Sequence, residues 1–230
     1  MLINKIRLLV QAFSFLILTY GGRIGINLGY ALPCFACPYV AGCGGYCFLM
    51  FLQRVGIFGI AAYDRIFTYI GLQNLLWFLI FAVSAIILSK FWCGWICPFG
   101  SLLDALSGLR KKMGIREIEF SWTVRTMIKP IKYIFLAVIL VVPLLIAFLG
   151  LSSDFYILFC KICPARPIMP IFAGDIRRFG LEYSNWSTLI ISIVSVSFAA
   201  ITIVGSFFKD RFFCMVCPML PLIHLFNKLS

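Results

Sequence analysis

The sequence predicts an all-α membrane protein: about four transmembrane helices in two tandem repeats, one further interfacial or re-entrant helix, and cysteine motifs at the helix ends. Three observations predict it. Hydrophobic residues make up 63% of the 230 and charged ones 12%, with a mean hydropathy of +1.05. A soluble domain carries about a quarter charged residues, so polar side chains here are too few to cover a water-facing exterior. The apolar residues gather in runs approaching the roughly 20 needed to cross a hydrocarbon layer, and pairs of cysteines recur just beyond those runs.

Taken in order, the first run, Leu8 to Tyr20, is short and is expected to span by continuing through Gly21, Gly22 and Arg23 toward Leu32. No small-residue cleavage site follows it, which favours a span over a secretory signal. Phe48 to Ile70 is apolar but interrupted by Arg54, Asp64 and Arg65, the pattern of an interfacial or re-entrant helix. Leu72 to Leu88, Ile131 to Leu151 and Thr188 to Phe208 are uninterrupted spans. Trp77, Trp122 and Trp186 stand near span ends, as an interfacial belt requires, whereas Trp92 and Trp95 flank a cysteine and equally suit a site.

With the N-terminus in the cytoplasm, residues 21–71 and 152–187 lie outside and 89–130 and 209–230 inside. Thirteen of the 20 Lys and Arg then lie inside, counting Lys132 at the inner end of its span: Lys5, Arg7, Lys90, Arg110, Lys111, Lys112, Arg116, Arg125, Lys129, Lys132, Lys209, Arg211 and Lys228. The positive-inside rule selects that orientation, a multi-pass protein of a prokaryotic cytoplasmic membrane with both termini cytoplasmic. The organisation is a first repeat over 1–110, a basic cytoplasmic connection over 111–128 and a second repeat over 129–230. The net charge of +12 is thereby read as topology, and nucleic acid is excluded as a partner.

Composition also narrows the chemistry. The single histidine, His224, cannot supply two axial haem ligands, and no cysteine pair is followed by the His of covalent haem attachment. Ten cysteines, by contrast, exceed what packing needs. Cys34 and Cys37 before Pro38, and Cys93 and Cys97 before Pro98, sit in the first repeat; Cys160 and Cys163 before Pro164, and Cys214 and Cys217 before Pro218, sit in the second. Thiols at i and i+3 or i+4 share one side of a helical turn. Proline after the last ligand ends that turn and leaves nearby amides free to face sulfur.

The assigned topology puts Cys93, Cys97, Cys214 and Cys217 on the cytoplasmic face as one [4Fe-4S] ligand set. It puts Cys34, Cys37, Cys160 and Cys163 on the outer face as a second. Cys43 and Cys47 stay open: a disulfide, or replacement ligands for the outer set. Packing cysteines and a structural Zn²⁺ site are the bland readings, and the fourfold recurrence of the pair with its proline weighs against them.

The run from Phe91 through Cys93, Cys97, Pro98, Phe99, Gly100 and Ser101 to Asp104 resembles the signature of the NapH/NosR-like family of membrane-embedded 4Fe-4S binding proteins. Val10 and Gln11, Cys47 with Leu52 and Gln53, Cys160 to Ala165 and Phe213 to Ile223 extend the resemblance over nearly the whole chain. It differs in having two residues, not three, between the cysteines of three of its pairs, and in Cys47 lacking a following proline. The resemblance implies an electron-transfer subunit of a redox complex, with ferredoxin-like, cytochrome or extracytoplasmic reductase partners, embedded in membrane lipid.

The function expected is a membrane iron–sulfur relay between a quinol or cytoplasmic donor and an extracytoplasmic partner, with two [4Fe-4S] clusters. A quinone has room in an apolar cleft between spans, though no residue marks it. No acid–base pair inside the spans suggests pumping. The alternative is a membrane thiol–disulfide or metal-handling assembly factor that uses the cysteine pairs directly.

Overall fold

The computed structural model describes residues 2–26, 37, 39–45, 47–53, 69–88, 91–149, 157–174 and 185–229, and among these it is helical with no strand. In chain order the helices are α1 (Leu2–Tyr20), α2 (Phe48–Phe51), α3 (Tyr69–Leu88), α4 (Pro98–Lys112), α5 (Trp122–Leu149), α6 (Leu158–Ile162), α7 (Ala165–Phe172), α8 (Trp186–Phe208) and α9 (Met219–Leu229). A 3₁₀ turn, Gly21–Arg23, closes α1; a π turn, Trp92–Ile96, precedes α4; a second 3₁₀ turn, Phe212–Met215, precedes α9.

Among the described residues, α5 over Trp122–Ile146 and α8 over Trp186–Phe208 are long and apolar enough to cross a membrane by length and composition. The surface of α8 is inverted relative to a soluble bundle, whereas α5 buries Ile139 and Ile146. Along α8 the small or hydroxyl-bearing Ser192, Ser195, Ala199, Thr202 and Ser206 are buried, spaced three and four residues apart on one face. Ile190, Ile193, Val194, Ile201 and Val204 are exposed. Small side chains let helix backbones approach where burial of apolar surface gives no advantage. Pro130 and Pro143 lie inside α5, where each removes a backbone donor. Trp122 and Trp186, the first residues of α5 and α8, are 78% and 82% exposed, as belt residues would be.

Several details differ from the sequence reading, among them the start of α5 at Trp122, nine residues ahead of the expected Ile131. Helix α1 gains its length toward the N-terminus, from Leu2, and stops at Tyr20. The stop is enforced by a glycine contact: Gly44 donates to Leu18 O at 3.1 Å, and a Cβ on Gly44 would lie 2.3 Å from Ile17 O. The loop carrying Cys43 is thus clamped backbone to backbone on the end of α1. The described part of the second segment, Phe48–Gln53, points inward: Phe48, Phe51 and Gln53 are fully buried, and the Phe48 ring stacks on Phe81 at 3.5 Å. The six described residues are apolar except Gln53, and Arg54, Asp64 and Arg65, which interrupt the run, lie outside the described residues. Trp77 likewise packs against the core and Trp92 is buried, its Nε1 donating to Ser84 O at 3.2 Å.

The core has two main parts. One joins α2, α3 and α9 through Phe48, Phe81, Met219 and Ile223; the other joins α4, α7 and α8 through Leu103, Met169 and Ala199. Cys163 and Cys217 pack against both, so the cysteines sit at the seam. Polar ties fasten the far end of α4 to the end of α8. Arg110, 1% exposed, donates to Phe208 O at 2.8 Å and to Asp210 Oδ1 at 2.7 Å, and Lys209 pairs with Glu117.

Candidate metal centre

The cysteine segments share a local construction that follows from the proline. A residue before proline is pushed out of the helical region into extended backbone, and proline itself is suited to the first helical turn. Cys97 (φ −59°, ψ 115°) therefore ends the π turn while Pro98 opens α4. Cys163 (φ −55°, ψ 132°) ends α6, with Pro164 immediately ahead of α7. Pro218 stands between Cys217 and the start of α9. Cys47 lacks a proline yet adopts the same conformation, φ −77° and ψ 124°, as the residue capping α2.

Each of these sulfurs consequently meets backbone N–H groups of the turn that follows. Gly100 N donates to Cys97 Sγ at 3.4 Å. Amides of Leu49 and Met50 face Cys47, that of Ala165 faces Cys163, that of Met219 faces Cys217 and that of Tyr39 faces Cys37. Such donors stabilise negative charge on sulfur.

Eight cysteines from these segments line one cavity: Cys37, Cys47, Cys93, Cys97, Cys160, Cys163, Cys214 and Cys217. Leu49, Phe99, Phe159 and Phe213 complete much of the wall, and no carboxylate or imidazole enters it among the described residues. Electrostatic neighbours divide the thiols. Cys37, Cys47, Cys160 and Cys163 act on one another, with Cys43 also acting on Cys37; Cys93 acts on Cys214 and Cys217, Cys214 acts on Cys217, and Cys163 reaches Cys217 across the seam. Cysteines expected on opposite faces thus line one cavity. Cys37, Phe48–Gln53 and the α6–α7 turn face inward, and counting spans could not register that.

Cys43 lies off this cavity, its Sγ donating to Gly45 O at 3.0 Å. None of the nine described cysteines is in a disulfide. Cys34 falls outside the described residues; of Cys43 and Cys47, it is Cys47 that lines the cavity.

Burial pushes the Cys163 thiol up to about 12 and the Cys214 thiol up to about 11, the latter against the pull of the Arg211 charge. Burial and then neighbouring thiols push Cys160 up as well. As bare thiols these groups are poor nucleophiles; as thiolates they need a strongly cationic partner. The sulfur set, its apolar wall and its N–H donors fit an iron–sulfur core. Among the described residues no three Cys, His, Asp or Glu groups close on a point that would hold one metal ion.

Behind the Cys93 and Cys214 segments lies a polar hub absent from the sequence reading. Asp104 on α4 accepts from Arg211 Nε at 2.6 Å, from Arg7 at 2.6 Å and from Gln11 at 2.7 Å. Gln11 also donates to Gly94 O at 3.0 Å. Burial alone would raise the Asp104 carboxyl, but the hydrogen bonds from Arg211 and Gln11 and the two guanidinium charges hold it below the usual carboxylate range. Asp104 and Gln11 were visible as parts of the motif and of the first span; their partnership was not.

A family model described as a 4Fe-4S binding domain matches residues 70–116 and 191–230, the segments that carry Cys93, Cys97, Cys214 and Cys217. A curated relative, the regulatory protein NosR of Pseudomonas aeruginosa, is 25% identical over 128 residues, covering 55% of this chain and 15% of that protein. No solved structure matches. The chain is thus similar to a 4Fe-4S binding domain in both halves and to NosR in sequence, and its resemblance to the NapH/NosR-like membrane-embedded 4Fe-4S binding proteins is borne out.

Proposed function

We propose that the chain is an integral-membrane iron–sulfur electron-transfer subunit, relaying electrons between a quinol or cytoplasmic donor and an extracytoplasmic redox partner. The observation that carries the reading is the convergence of eight thiols from four separate segments on one apolar cavity. Cys93, Cys97, Cys214 and Cys217 would hold one [4Fe-4S] cluster and Cys37, Cys47, Cys160 and Cys163 a second, with Cys34 the alternative to Cys47. A bound cluster supplies a reversible one-electron couple. The protein's part is to exclude water with the phenylalanine wall, to aim backbone N–H groups at the ligand sulfurs, and to hold the four segments in register. The thiol–disulfide alternative is disfavoured by burial, since exchange requires an accessible thiolate.

Four spans in two repeats, 1–110 and 129–230 joined by the basic connection 111–128, accompany the proposal. Helices α1 and α3, 19 and 20 residues long, support it by exposing Leu8, Leu9 and Phe13, and Leu75, Leu76 and Ile87, on their outer faces. Reporter fusions after Ser230 and within 110–125 should both report cytoplasm; an external C-terminus would reject the topology. The function is tested by purifying the full chain anaerobically from membranes. Broad visible absorption that bleaches on reduction is expected, and a colourless protein would contradict the reading.

A further inference from the structure

We propose that Arg211 is the positioning residue of the Cys93, Cys97, Cys214 and Cys217 ligand set, and that Arg211 and Asp104 together tune the potential of the cluster those thiols hold. The proposal rests on the iron–sulfur reading above. Cys93 and Cys214 stand in different halves of the chain, on two short turns whose cysteines must meet one core. Arg211 joins them: its Nε and one terminal nitrogen grip both oxygens of Asp104, the same terminal nitrogen reaches Gly94 O at 2.9 Å, and the other reaches Cys93 O at 3.4 Å. Its own carbonyl accepts from Cys214 N at 2.9 Å, which closes the turn bearing the third ligand.

The backbone is committed to this arrangement. Arg211 is the one non-glycine among the described residues with a positive φ, at 54°, a conformation that side chains bearing a Cβ rarely adopt. A planar guanidinium with five donors can hold a carboxylate and two carbonyls at once, and an ammonium cannot. Asp104 is itself braced from α1 by Arg7 and Gln11, so the grip is anchored to three elements besides the turn. The side chains of Arg211 and Asp104 are only 24% and 22% exposed, so solvent screens their charges incompletely.

Adding an electron to a cluster is favoured by a nearby cation and opposed by a nearby anion. A residue with only a packing role would not give opposite responses to loss of the two charges. The experiment titrates the full chain, purified anaerobically, by EPR at set potentials, with iron counted per chain. Arg211→Gln should shift one cluster's midpoint downward and Asp104→Asn should shift the same cluster's upward, the other cluster staying at its wild-type value. Arg211→Lys, which keeps charge and loses the fork, should stay nearer the wild-type midpoint than Arg211→Gln but release iron from that cluster faster.

Should Arg211→Gln fail to retain that cluster, loss of half the iron with the second cluster intact supports positioning, and loss of all iron overturns it. Equal or absent midpoint shifts in Arg211→Gln and Asp104→Asn overturn the tuning role. A wild-type chain without iron instead removes the underlying iron–sulfur reading, a separate result from either.

Discussion

The side-chain amide of Gln53 donates to Cys160 Sγ at 3.3 Å and to Leu49 O at 3.0 Å, in a position 1% exposed to solvent. A donor on a ligand sulfur draws negative charge from it and raises the potential of the cluster behind it. Gln53→Leu keeps the bulk and removes the donor. One midpoint should fall while iron content and the other midpoint hold; an unmoved pair of midpoints would show that the contact has no electronic effect.

The cysteines separate by their geometry. Cys214→Ser and Cys160→Ser should each cost half of the bound iron, because each leaves one four-thiol set incomplete. Cys43→Ser should cost none, since the Cys43 sulfur turns to Gly45 O and away from the cavity. Iron analysis of the three variants against wild type checks this, and a loss in Cys43→Ser equal to that in Cys160→Ser would reassign the second set.

Two glycines should respond oppositely to alanine. At Gly44 the new methyl would meet the backbone oxygen of Ile17, and Gly44→Ala should destabilise the protein by about 1–3 kcal/mol and loosen the Cys47 segment. At Gly108, inside α4 with nothing within 4 Å of the added Cβ, Gly108→Ala should raise stability by up to about 1 kcal/mol. Thermal denaturation in detergent reads both, and equal effects of the two substitutions would deny the tight backbone approach.

Hydropathy made α3 and α8 legible to within three residues, because an apolar run of that length has one stable solution in lipid, whereas α5 starts at Trp122, nine residues ahead of the apolar run that announced it. The cysteine–proline pairs were legible for a related reason: proline fixes the conformation of the residue before it, and Cys97 and Cys163 show that conformation. Cys47 was left open between disulfide and ligand because it reaches the same backbone state without a proline to announce it. The depth of the cysteines was not legible. Counting spans assigns each loop to a face, yet Phe48–Gln53 and the α6–α7 turn bury themselves between helices. The Arg211–Asp104 grip joins residues far apart in sequence, and no periodicity reports such a pair.

Iron and acid-labile sulfide per polypeptide, measured on the anaerobically purified full chain, test the central claim most directly. Two [4Fe-4S] clusters held by the eight cavity cysteines predict values near eight of each. A chain with no iron, or with iron near four that Cys37→Ser leaves unchanged, would contradict the account.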